Sequence, residues 1–219
     1  MNFGFSSGLE YRFGKNGTAI LTSIGNCCDK HIIVPEFVDG KTVVEVEDNA
    51  FSRSDKIISI TLPQTVSRIG KNSFSWCSKL EFVKAFGVSE ISDKAFMGCS
   101  SLTDIGLGSR IKRLGKKAFA YCTELSSAAL PNSIIEIGAS AFEGCSSLTD
   151  ISLPDNLKII ASGTFYACTN LASVTLPQSL RYIDEFAFAY CNSIDTINLA
   201  RQTVINQSSF FESNVRKAS

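Results

Sequence analysis

The residues best suited to bind a metal or to act as a nucleophile lie in one short segment, Cys27-Cys28-Asp29-Lys30-His31, which contains the only histidine. A structural zinc site needs four convergent ligands, usually with two-residue gaps between its thiols, and adjacent cysteines chelate poorly. A cysteine nucleophile needs a base that a third group orients, and no such group is recognisable nearby. We therefore interpret the segment as a loop and predict neither a metal site nor cysteine catalysis there.

Asp104 and Asp150 are the one carboxylate pair whose spacing indicates chemistry, because they occupy equivalent positions two units apart in the repeat described below. Two strand spacings would place them roughly 9.6 Å apart, close to the separation of the acid and the base in an inverting glycosidase. A flat, solvated sheet offers no enclosed pocket of the kind that keeps a catalytic acid protonated. We therefore predict a protein without catalytic residues and without a cofactor.

The phenylalanines and most of the cysteines fall on a lattice. Eight phenylalanines are separated by 23 positions at every step except one step of 22, and six cysteines follow the same rule. The unit reads L-x-x-I-x-L-P-x-x-L-x-x-I-x-x-x-A-F-x-x-C-x-x, and all 5 prolines follow its third aliphatic residue. The two ladders are Phe51, Phe74, Phe96, Phe119, Phe142, Phe165, Phe188 and Phe211, and Cys77, Cys99, Cys122, Cys145, Cys168 and Cys191.

A unit of this length is too short to enclose a core, so its apolar residues must be buried against the same positions of neighbouring units. The sequence therefore predicts a repeat solenoid of right-handed coils about 4.8 Å apart, mostly β with short turns or 3₁₀ segments. The segment L-x-x-I-x-L, as in residues 148–153, ends in a period-two alternation and predicts the strand of each coil. A second short strand is expected in the other half, before a turn at the phenylalanine that is too brief for an α-helix.

The two ends of the array differ from its middle. Residues 1–31 are predicted to form a β-hairpin cap with an Asn-Gly turn, and residues 32–56 a degenerate first repeat. Residues 57–214 contain seven repeats, the last with Asn214 at the cysteine position, and residues 215–219 form a C-terminal tail. Since no polar cap follows the last coil, we expect either a piece of a longer protein or a last coil protected by a partner chain, so the chain is a monomer or an end-to-end dimer through that coil.

Composition limits the possible partners. The 219 residues carry 21 basic and 21 acidic side chains, and this formal charge of zero argues against nucleic-acid binding. No run of 18 or more apolar residues exists, so membrane insertion is not expected. The first seven residues lack the basic flank and apolar run of a secretion signal, which favours a cytoplasmic protein or one whose signal has been removed.

Both ladders are interpreted as packing residues. One phenylalanine per coil at a fixed inward position is typical of a core, and truncating one should cost about 3–5 kcal/mol. Equivalent residues of neighbouring coils would be about 5 Å apart at Cβ, beyond the reach of a disulfide, so free and buried thiols are expected. Ser54 and Asn214 at the ends of the cysteine ladder fit this view, because both can hydrogen-bond a turn backbone but neither can form a bridge.

The repeats resemble the leucine-rich repeats of the BspA-like, or Treponema pallidum, type, whose units run close to L-T-S-I-T-I-P-x-S-V-T-x-I-G-x-x-A-F-x-G-C-S-S. The match is close at residues 99–105 (CSSLTDI) and 141–148 (AFEGCSSL), and it covers roughly Ile32 to Asn214. Members of this family are commonly surface or secreted proteins of bacteria and of some protozoan parasites, and the better understood ones bind host matrix proteins, cells or other microbes. The resemblance implies a leucine-rich repeat fold, protein recognition without catalysis, and a cell-surface or secreted location, with a cytoplasmic one as the alternative.

If one face binds a protein ligand, the outward strand positions are the best candidates, because their side chains are not needed in the core and would form a continuous array. Phe82, beside Lys84 among small polar residues, is typical of an interface anchor. Its repeat is the one with the shorter step, in which Phe86 replaces the proline, so a shifted register that buries Phe82 is equally compatible with the sequence. The candidate ligand face comprises Ser59, Thr61, Phe82, Lys84, Asp104, Ser127, Asp150, Ser152, Ser173, Thr175, Thr196 and Asn198.

A second aromatic set lies on the turn side of the coils. Trp76, Tyr121 and Tyr190 each precede a ladder cysteine, and partial burial between coils is expected for them. The main alternative to a binding function is a structural one, in which the solenoid is a spacer or stalk of a larger surface protein. A mostly small and polar strand face would fit that alternative.

Overall fold

The structure, a computed structural model that describes residues 4–218, is an all-strand solenoid of about eight coils, as the repeat predicts. Each regular coil contributes a strand to a front sheet, a shorter strand to a back sheet, and a turn edge that carries the repeat's phenylalanine and cysteine. No residue between 4 and 218 is helical, so the turn edge is built from turns alone. In chain order the strands are β1 (Glu10–Phe13), β2 (Thr18–Ser23), β3 (His31–Ile33), β4 (Phe37–Val38), β5 (Lys41–Val46), β6 (Ser59–Thr61), β7 (Arg68–Ile69), β8 (Phe82–Ala85), β9 (Glu90–Ile91), β10 (Asp104–Leu107), β11 (Arg113–Leu114), β12 (Glu136–Ile137), β13 (Asp150–Ser152), β14 (Ile159–Ile160), β15 (Ser173–Thr175), β16 (Tyr182–Ile183), β17 (Thr196–Asn198), β18 (Val204–Ile205) and β19 (Arg216–Ala218).

Parallel pairing between successive coils joins these strands, except for the antiparallel pairs β1-β2 and β4-β5. The front sheet has the order β10-β8-β6-β3, followed by the separate pairs β13-β15 and β17-β19. The back sheet runs β1-β2-β5-β7-β9-β11-β12 and then β14-β16-β18, with β4 paired to β5. The hairpin predicted within residues 1–31 is the antiparallel pair β1-β2, and residues 216–218, assigned above to a tail, pair with β17. Residues 1–3 and 219 of the predicted terminal segments lie outside the described residues.

The front strands bury every second side chain. In β8, Val83 and Ala85 are buried, whereas Phe82 and Lys84 point away from the core. This period of two is what a strand with one buried face requires. Each coil thereby adds aliphatic residues to one core that runs along the solenoid.

The outward positions of the back sheet alternate in charge over its first part. Glu45, Arg68, Glu90, Arg113 and Glu136 are neighbours in register on successive strands from β5 to β12. The Arg113 guanidinium donates to the carboxylates of Glu90 and Glu136, at 3.1 Å in each case. Opposite charges on neighbouring strands favour this register, although each exposed pair is worth only about 0.2–1 kcal/mol.

Both sheets are interrupted in the middle of the solenoid, one coil apart. In the front sheet, β10 pairs with no strand on its far side among the described residues, and residues 126–130 form only an isolated bridge from Ser127 to Asp150. In the back sheet, β12 and β14 are not paired with each other, although every other pair of successive strands from β5 to β18 is joined. The segment Ser126-Ser127-Ala128-Ala129 has none of the β-branched or aromatic residues that favour strands, which explains the front interruption.

The turn edge, in contrast, is continuous. The N–H of Phe119 donates to the carbonyl of Ala141 at 2.8 Å, and the N–H of Phe142 donates to that of Thr164 at 2.9 Å. These bonds cross the coils at which the two sheets are interrupted. The turn edge therefore continues across both interruptions.

The ladder phenylalanines form a stack of near-parallel rings. From Phe51 to Phe188, neighbouring ring centroids are 5.0–5.6 Å apart and the ring planes differ by at most 14°. Each of these seven side chains is at most 2% exposed. The stack therefore lies in the core beneath the turn edge.

The prediction that Phe211 ends this ladder is wrong. Phe211 is 47% exposed, and the ring stacked on Phe188, at 5.4 Å, is that of Phe210. The backbone gives the reason, since each ladder phenylalanine donates its N–H to the residue before the next one, and Phe188 donates to Ser209. The last step of the ladder is therefore one position shorter than the usual step, like the step from Phe74 to Phe96.

The same shift corrects the end of the cysteine ladder. The N–H of Ser213 donates to the carbonyl of Phe210 at 3.2 Å, as that of Cys191 donates to Phe188 at 3.3 Å. Ser213, and not Asn214, therefore occupies the cysteine position. Asn214 instead donates its side-chain amide to the carbonyl of Asn192 at 2.8 Å.

The six ladder cysteines are buried and act as hydrogen-bond donors. Each thiol donates to the carbonyl of the ladder phenylalanine in the preceding coil, at 3.0–3.2 Å, as Cys122 does to Phe96. Burial raises the pKa of the Cys77 thiol to about 12 and that of Cys122 well above its ordinary value. The thiols are therefore neutral groups that satisfy carbonyl oxygens inside the core.

The residue before each ladder cysteine has left-handed backbone. This conformation costs a residue with a Cβ about 1–2 kcal/mol, yet glycine occupies only two of the six positions. The turn that stacks the phenylalanines therefore imposes the conformation on other residue types. The six residues and their φ angles are Trp76 (61°), Gly98 (75°), Tyr121 (61°), Gly144 (69°), Ala167 (57°) and Tyr190 (60°).

Ala167→Gly is expected to increase the free energy of unfolding by about 0.5–1 kcal/mol, because it removes the left-handed penalty at the cost of a more flexible unfolded chain. The matched control is Ala172→Gly, an exposed position whose φ is not positive, where a loss of about 0.5–1 kcal/mol is expected. Urea denaturation followed by circular dichroism measures both changes. A loss of stability in both variants would contradict the prediction.

Candidate interaction surface

The predicted ligand-face residues lie on the outward side of the front coils. Ser59 and Thr61 are half-buried, and the other ten residues are exposed. Phe82 lies in register between Ser59 on β6 and Asp104 on β10. The structure thus brings the members of the first coils together on one surface, and their binding role stays a prediction.

Phe82 is 47% exposed, so the shifted register that would bury it is not the one adopted. Phe86, which the sequence analysis noted only as a replacement for proline, is equally exposed, and its ring lies over Gly106. A Cβ added at Gly106 would approach that ring to 3.0 Å, so the glycine makes room for it. Lys84 is exposed on β8 between the two phenylalanines. We call the residues Ser59, Thr61, Phe82, Lys84, Phe86 and Asp104 the Phe82 patch.

The prediction of one continuous ligand face is wrong. The ladder of the front sheet ends at β10, and residues 126–130 join the following strand only through the Ser127–Asp150 bridge. An open groove of about 440 Å³ lies at this interruption, lined among others by Leu107 and Ala129. The face therefore consists of the Phe82 patch and a separate, small and polar part that begins at β13, with Ser127 on the bridge at the interruption between them.

The two aspartates considered for catalysis do not share a pocket. Asp150 lines the groove at the front interruption and accepts a hydrogen bond from Thr149 at 2.9 Å. Asp104 lies on β10 outside the lining of that groove, and both side chains are exposed. The structure does not bring these carboxylates to an enclosed space that would hold a substrate between them.

The structure does not bring the ligand types of the Cys27–His31 segment together. Cys27 is buried, whereas Cys28 is exposed with its thiol 3.6 Å from the carbonyl of Asn26. The Nδ1 atom of His31 lies 2.9 Å from the hydroxyl of Ser59. Among residues 4–218, no group of three or more histidine, cysteine, aspartate or glutamate side chains is placed to hold a metal ion.

The back sheet carries an apolar groove that the sequence analysis missed. It has a volume of about 730 Å³, lies between the unjoined strands β12 and β14, and is lined by Ile135, Ile137, Lys158 and Ile159 among others. Ile135 and Ile159 are 60% and 51% exposed. A usable signal was the outward position of the back strands, which changes from charged residues to Ile159 after β12.

The second aromatic set is partly buried on the turn edge. Trp76 and Tyr121 are 48% and 40% exposed, while Tyr190 is half-buried against Tyr166 and Phe211. Each of the first two rings lies against a glycine of the following coil, Gly98 or Gly144. All three side chains are therefore partly buried between coils, as expected.

Comparisons with known proteins agree with this architecture. The model of the family described as "BspA type Leucine rich repeat region" matches residues 17–122 and 89–217, with six copies. A search of curated proteins gives no match. No helix within residues 4–218 is long and apolar enough to cross a membrane.

Several solved structures are similar to this chain. The T. pallidum leucine-rich repeat protein has 30% identity and a TM-score of 0.81, over 85% of this chain and 88% of that one. A leucine-rich repeat protein from Bacteroides ovatus has 26% identity and a TM-score of 0.71, over 96% of this chain and 62% of that one. A leucine-rich cell surface protein from Faecalibacterium prausnitzii has 24% identity and a TM-score of 0.67, over 97% and 54%. This chain thus spans less than two thirds of the last two proteins.

Neither the family model nor these structures indicate an enzyme, and leucine-rich repeat proteins are generally binding or structural modules. The matched repeats extend from the hairpin cap to the last coil. The chain therefore belongs to the BspA-type leucine-rich repeat family.

Proposed function

We propose that the chain is a non-catalytic interaction module that binds a protein ligand, such as a host or matrix protein, through the Phe82 patch. In keeping with the resemblance of its repeats, the proposal places this activity at a cell surface or among secreted proteins. A spacer or stalk in a larger surface protein is the alternative function.

The exposed pair Phe82 and Phe86 around Lys84 carries this proposal. Aromatic and basic side chains dominate the energetic centres of protein interfaces, and burying one large apolar side chain contributes about 1.5–3 kcal/mol. Both rings lie on or next to a strand with neighbours on each side, so little conformational freedom is lost when a partner covers them. The small polar residues around them provide a rim that tolerates partial hydration.

A Phe82→Ser, Lys84→Glu double variant is expected to lose the protein ligand while retaining the fold. Both side chains are exposed, so the free energy of unfolding should change by no more than about 1 kcal/mol. Immobilised native and variant proteins are tested side by side for retention of purified extracellular-matrix proteins and cell-surface extracts. Circular dichroism and thermal unfolding confirm that each variant is folded.

The matched control is Ile159→Ser, which removes an exposed apolar side chain from the back sheet. A ligand retained by the native protein and this control, but lost by the double variant, supports the proposal. Equal retention by all three proteins places the binding surface elsewhere. Retention of nothing by the native protein favours the spacer function.

A further inference from the structure

The geometry points to a second binding surface, on the turn edge, at which Trp76 and Tyr121 stack on an extended polysaccharide of β-linked hexopyranose units. This surface is separate from the Phe82 patch, so the inference does not depend on the proposed protein ligand. It rests on the orientation of the two rings, on their spacing and on the residues around them.

Each ring lies across a glycine of the following coil. A Cβ added at Gly98 would come within 2.4–2.8 Å of three atoms of the Trp76 indole. One added at Gly144 would come within 2.8–3.1 Å of two atoms of the Tyr121 ring. Because each glycine lacks a side chain, the ring of the preceding coil can lie along the surface with one side covered and the other open to solvent.

Tyr121 is also fixed by polar contacts. Its hydroxyl donates to the carboxylate of Glu143, whose other oxygen pairs with the Lys117 ammonium at 3.0 Å. The hydrogen bond to Glu143, together with burial, raises the pKa of Tyr121, so the hydroxyl keeps its proton and its donor role. The ring is therefore held in place before any ligand arrives, which lowers the entropic cost of stacking.

The spacing of the two rings matches every second sugar of an extended chain. They occupy the same turn position two coils apart, and the ladder rings of those coils step by 5.1 Å and 5.4 Å. Two coils therefore separate the platforms by ~10 Å. In an extended β-1,4-linked glucan each sugar is rotated by half a turn relative to the last, so alternate sugars present the same face, and a disaccharide repeat has nearly this length.

The residues around the rings suit hexose hydroxyls. The coil between those of Trp76 and Tyr121 carries Gly98 at the same turn position, so no third aromatic ring lies between the two platforms. A row of hydroxyl residues runs parallel, and Ser100 and Thr123 donate their protons to carbonyls of the preceding coils at 3.4 Å and 3.2 Å. Their oxygens are thereby left as acceptors for sugar hydroxyls, while the apolar C–H face of a pyranose covers the exposed ring.

The chain contains its own reporter for this inference, because Trp76 is the only tryptophan. Titration with cellohexaose or β-1,4-mannohexaose is expected to shift the tryptophan emission and to protect it from acrylamide. A disaccharide reaches one ring, whereas a tetrasaccharide reaches both. The affinity should therefore rise about 10-fold or more between these lengths, beyond which it should level off.

Tyr121→Ala is the decisive variant. Alanine occupies the same left-handed position at residue 167, so the turn accommodates it. The variant keeps the Trp76 reporter and should lower the affinity for the hexasaccharide about 10-fold or more while leaving the affinity for the disaccharide unchanged. Phe82→Ser should bind the hexasaccharide like the native protein.

Maltohexaose is the matched control ligand, since its α-linked glucoses curve and do not present alternate sugars along a line. No saturable emission change with either β-linked hexasaccharide, equal binding of maltohexaose, or an unchanged affinity in Tyr121→Ala would each overturn the inference. Trp76→Ala should abolish the increase in affinity from disaccharide to tetrasaccharide. Isothermal calorimetry measures this without using fluorescence. A further outcome would also overturn the inference, in favour of a protein ligand at this edge. In that outcome the native protein binds an extracellular-matrix protein but neither hexasaccharide, and Trp76→Ala abolishes the binding.

Discussion

Raising the pH from about 8 to about 10.5 is expected to unfold the protein cooperatively, because six buried thiols resist ionisation in the native state. Burial raises the pKa of Cys77, Cys145 and Cys191 to about 12, against an ordinary value of 9.0. Burial likewise places the pKa of the other three ladder thiols well above that value. In the unfolded chain, thiols ionise at their ordinary pKa of about 8.5–9.

The direction of the effect follows from proton binding. Below about pH 8.5 both states hold the thiol protons, so the full stability is present. Above it the unfolded chain releases protons that the native chain retains, and each thiol then lowers the free energy of unfolding by about 1.4 kcal/mol per pH unit. Six thiols acting together approach about 8 kcal/mol per pH unit, comparable with the whole stability of a typical domain.

Urea denaturation at several values between about pH 8 and pH 9.5, where the thiols of the unfolded chain ionise before most of its tyrosines do, measures this slope. Cys145→Ser is the matched control, since serine occupies the same ladder position at residues 54 and 213 and does not titrate in this range. It should reduce the slope by about 1.4 kcal/mol per pH unit. The prediction would be contradicted if the free energy of unfolding of the native sequence fell with pH no faster than one thiol alone would cause.

Phe119→Ala is expected to lower the free energy of unfolding by about 3–5 kcal/mol, as for any buried phenylalanine of the stack. The ring is 1% exposed and stacks on Phe96 at 5.4 Å and on Phe142 at 5.5 Å. The backbone bonds of the turn edge fix the coils on both sides, so they cannot collapse into the cavity that the substitution leaves. Urea denaturation followed by circular dichroism gives the change in free energy.

Phe211→Ala is the matched control, because the periodic spacing of the sequence assigns Phe211 to the same ladder. In the structure its ring makes only edge contacts with Phe186 and Tyr190 and is 47% exposed. A loss of about 1 kcal/mol or less is therefore expected. Equal losses in Phe119→Ala and Phe211→Ala would show that the last coil keeps the usual, longer step.

Much of the fold could be predicted from the sequence because the repeat leaves few alternatives. So short a unit cannot bury its own apolar side chains, and the aliphatic, phenylalanine and cysteine positions therefore had to point inward in every coil. The alternation of residues 150–153 predicted the front strands in the same way, since a strand with one buried face has a period of two. The hairpin at residues 10–23 was predicted from its Asn-Gly turn, which is a local signal.

The candidate surfaces depended on contacts between coils, which no single repeat specifies. Phe210 and Phe211 are adjacent, and the spacing between ladder phenylalanines is 23 positions in most coils but 22 in one. Both residues are therefore compatible with the sequence. Only the backbone bond from Phe188 to Ser209 decides which ring enters the stack. The exposure of Phe82 likewise followed from the register of β8 between β6 and β10.

The orientation of Trp76 and the interruptions of the two sheets were decided in the same way, by the neighbouring coil. Trp76 lies flat because the facing residue of the next coil is Gly98. The front sheet is interrupted at residues 126–130 because a strand pair needs extended backbone at equivalent positions of two successive coils, and this segment supplies only an isolated bridge. Thus the sequence by itself determined which residues form the core of the regular coils, because burial repeats with the unit. Only the tertiary structure decided which ring ends the stack, which side chains remain outside and how they are grouped, because these depend on pairs of neighbouring coils.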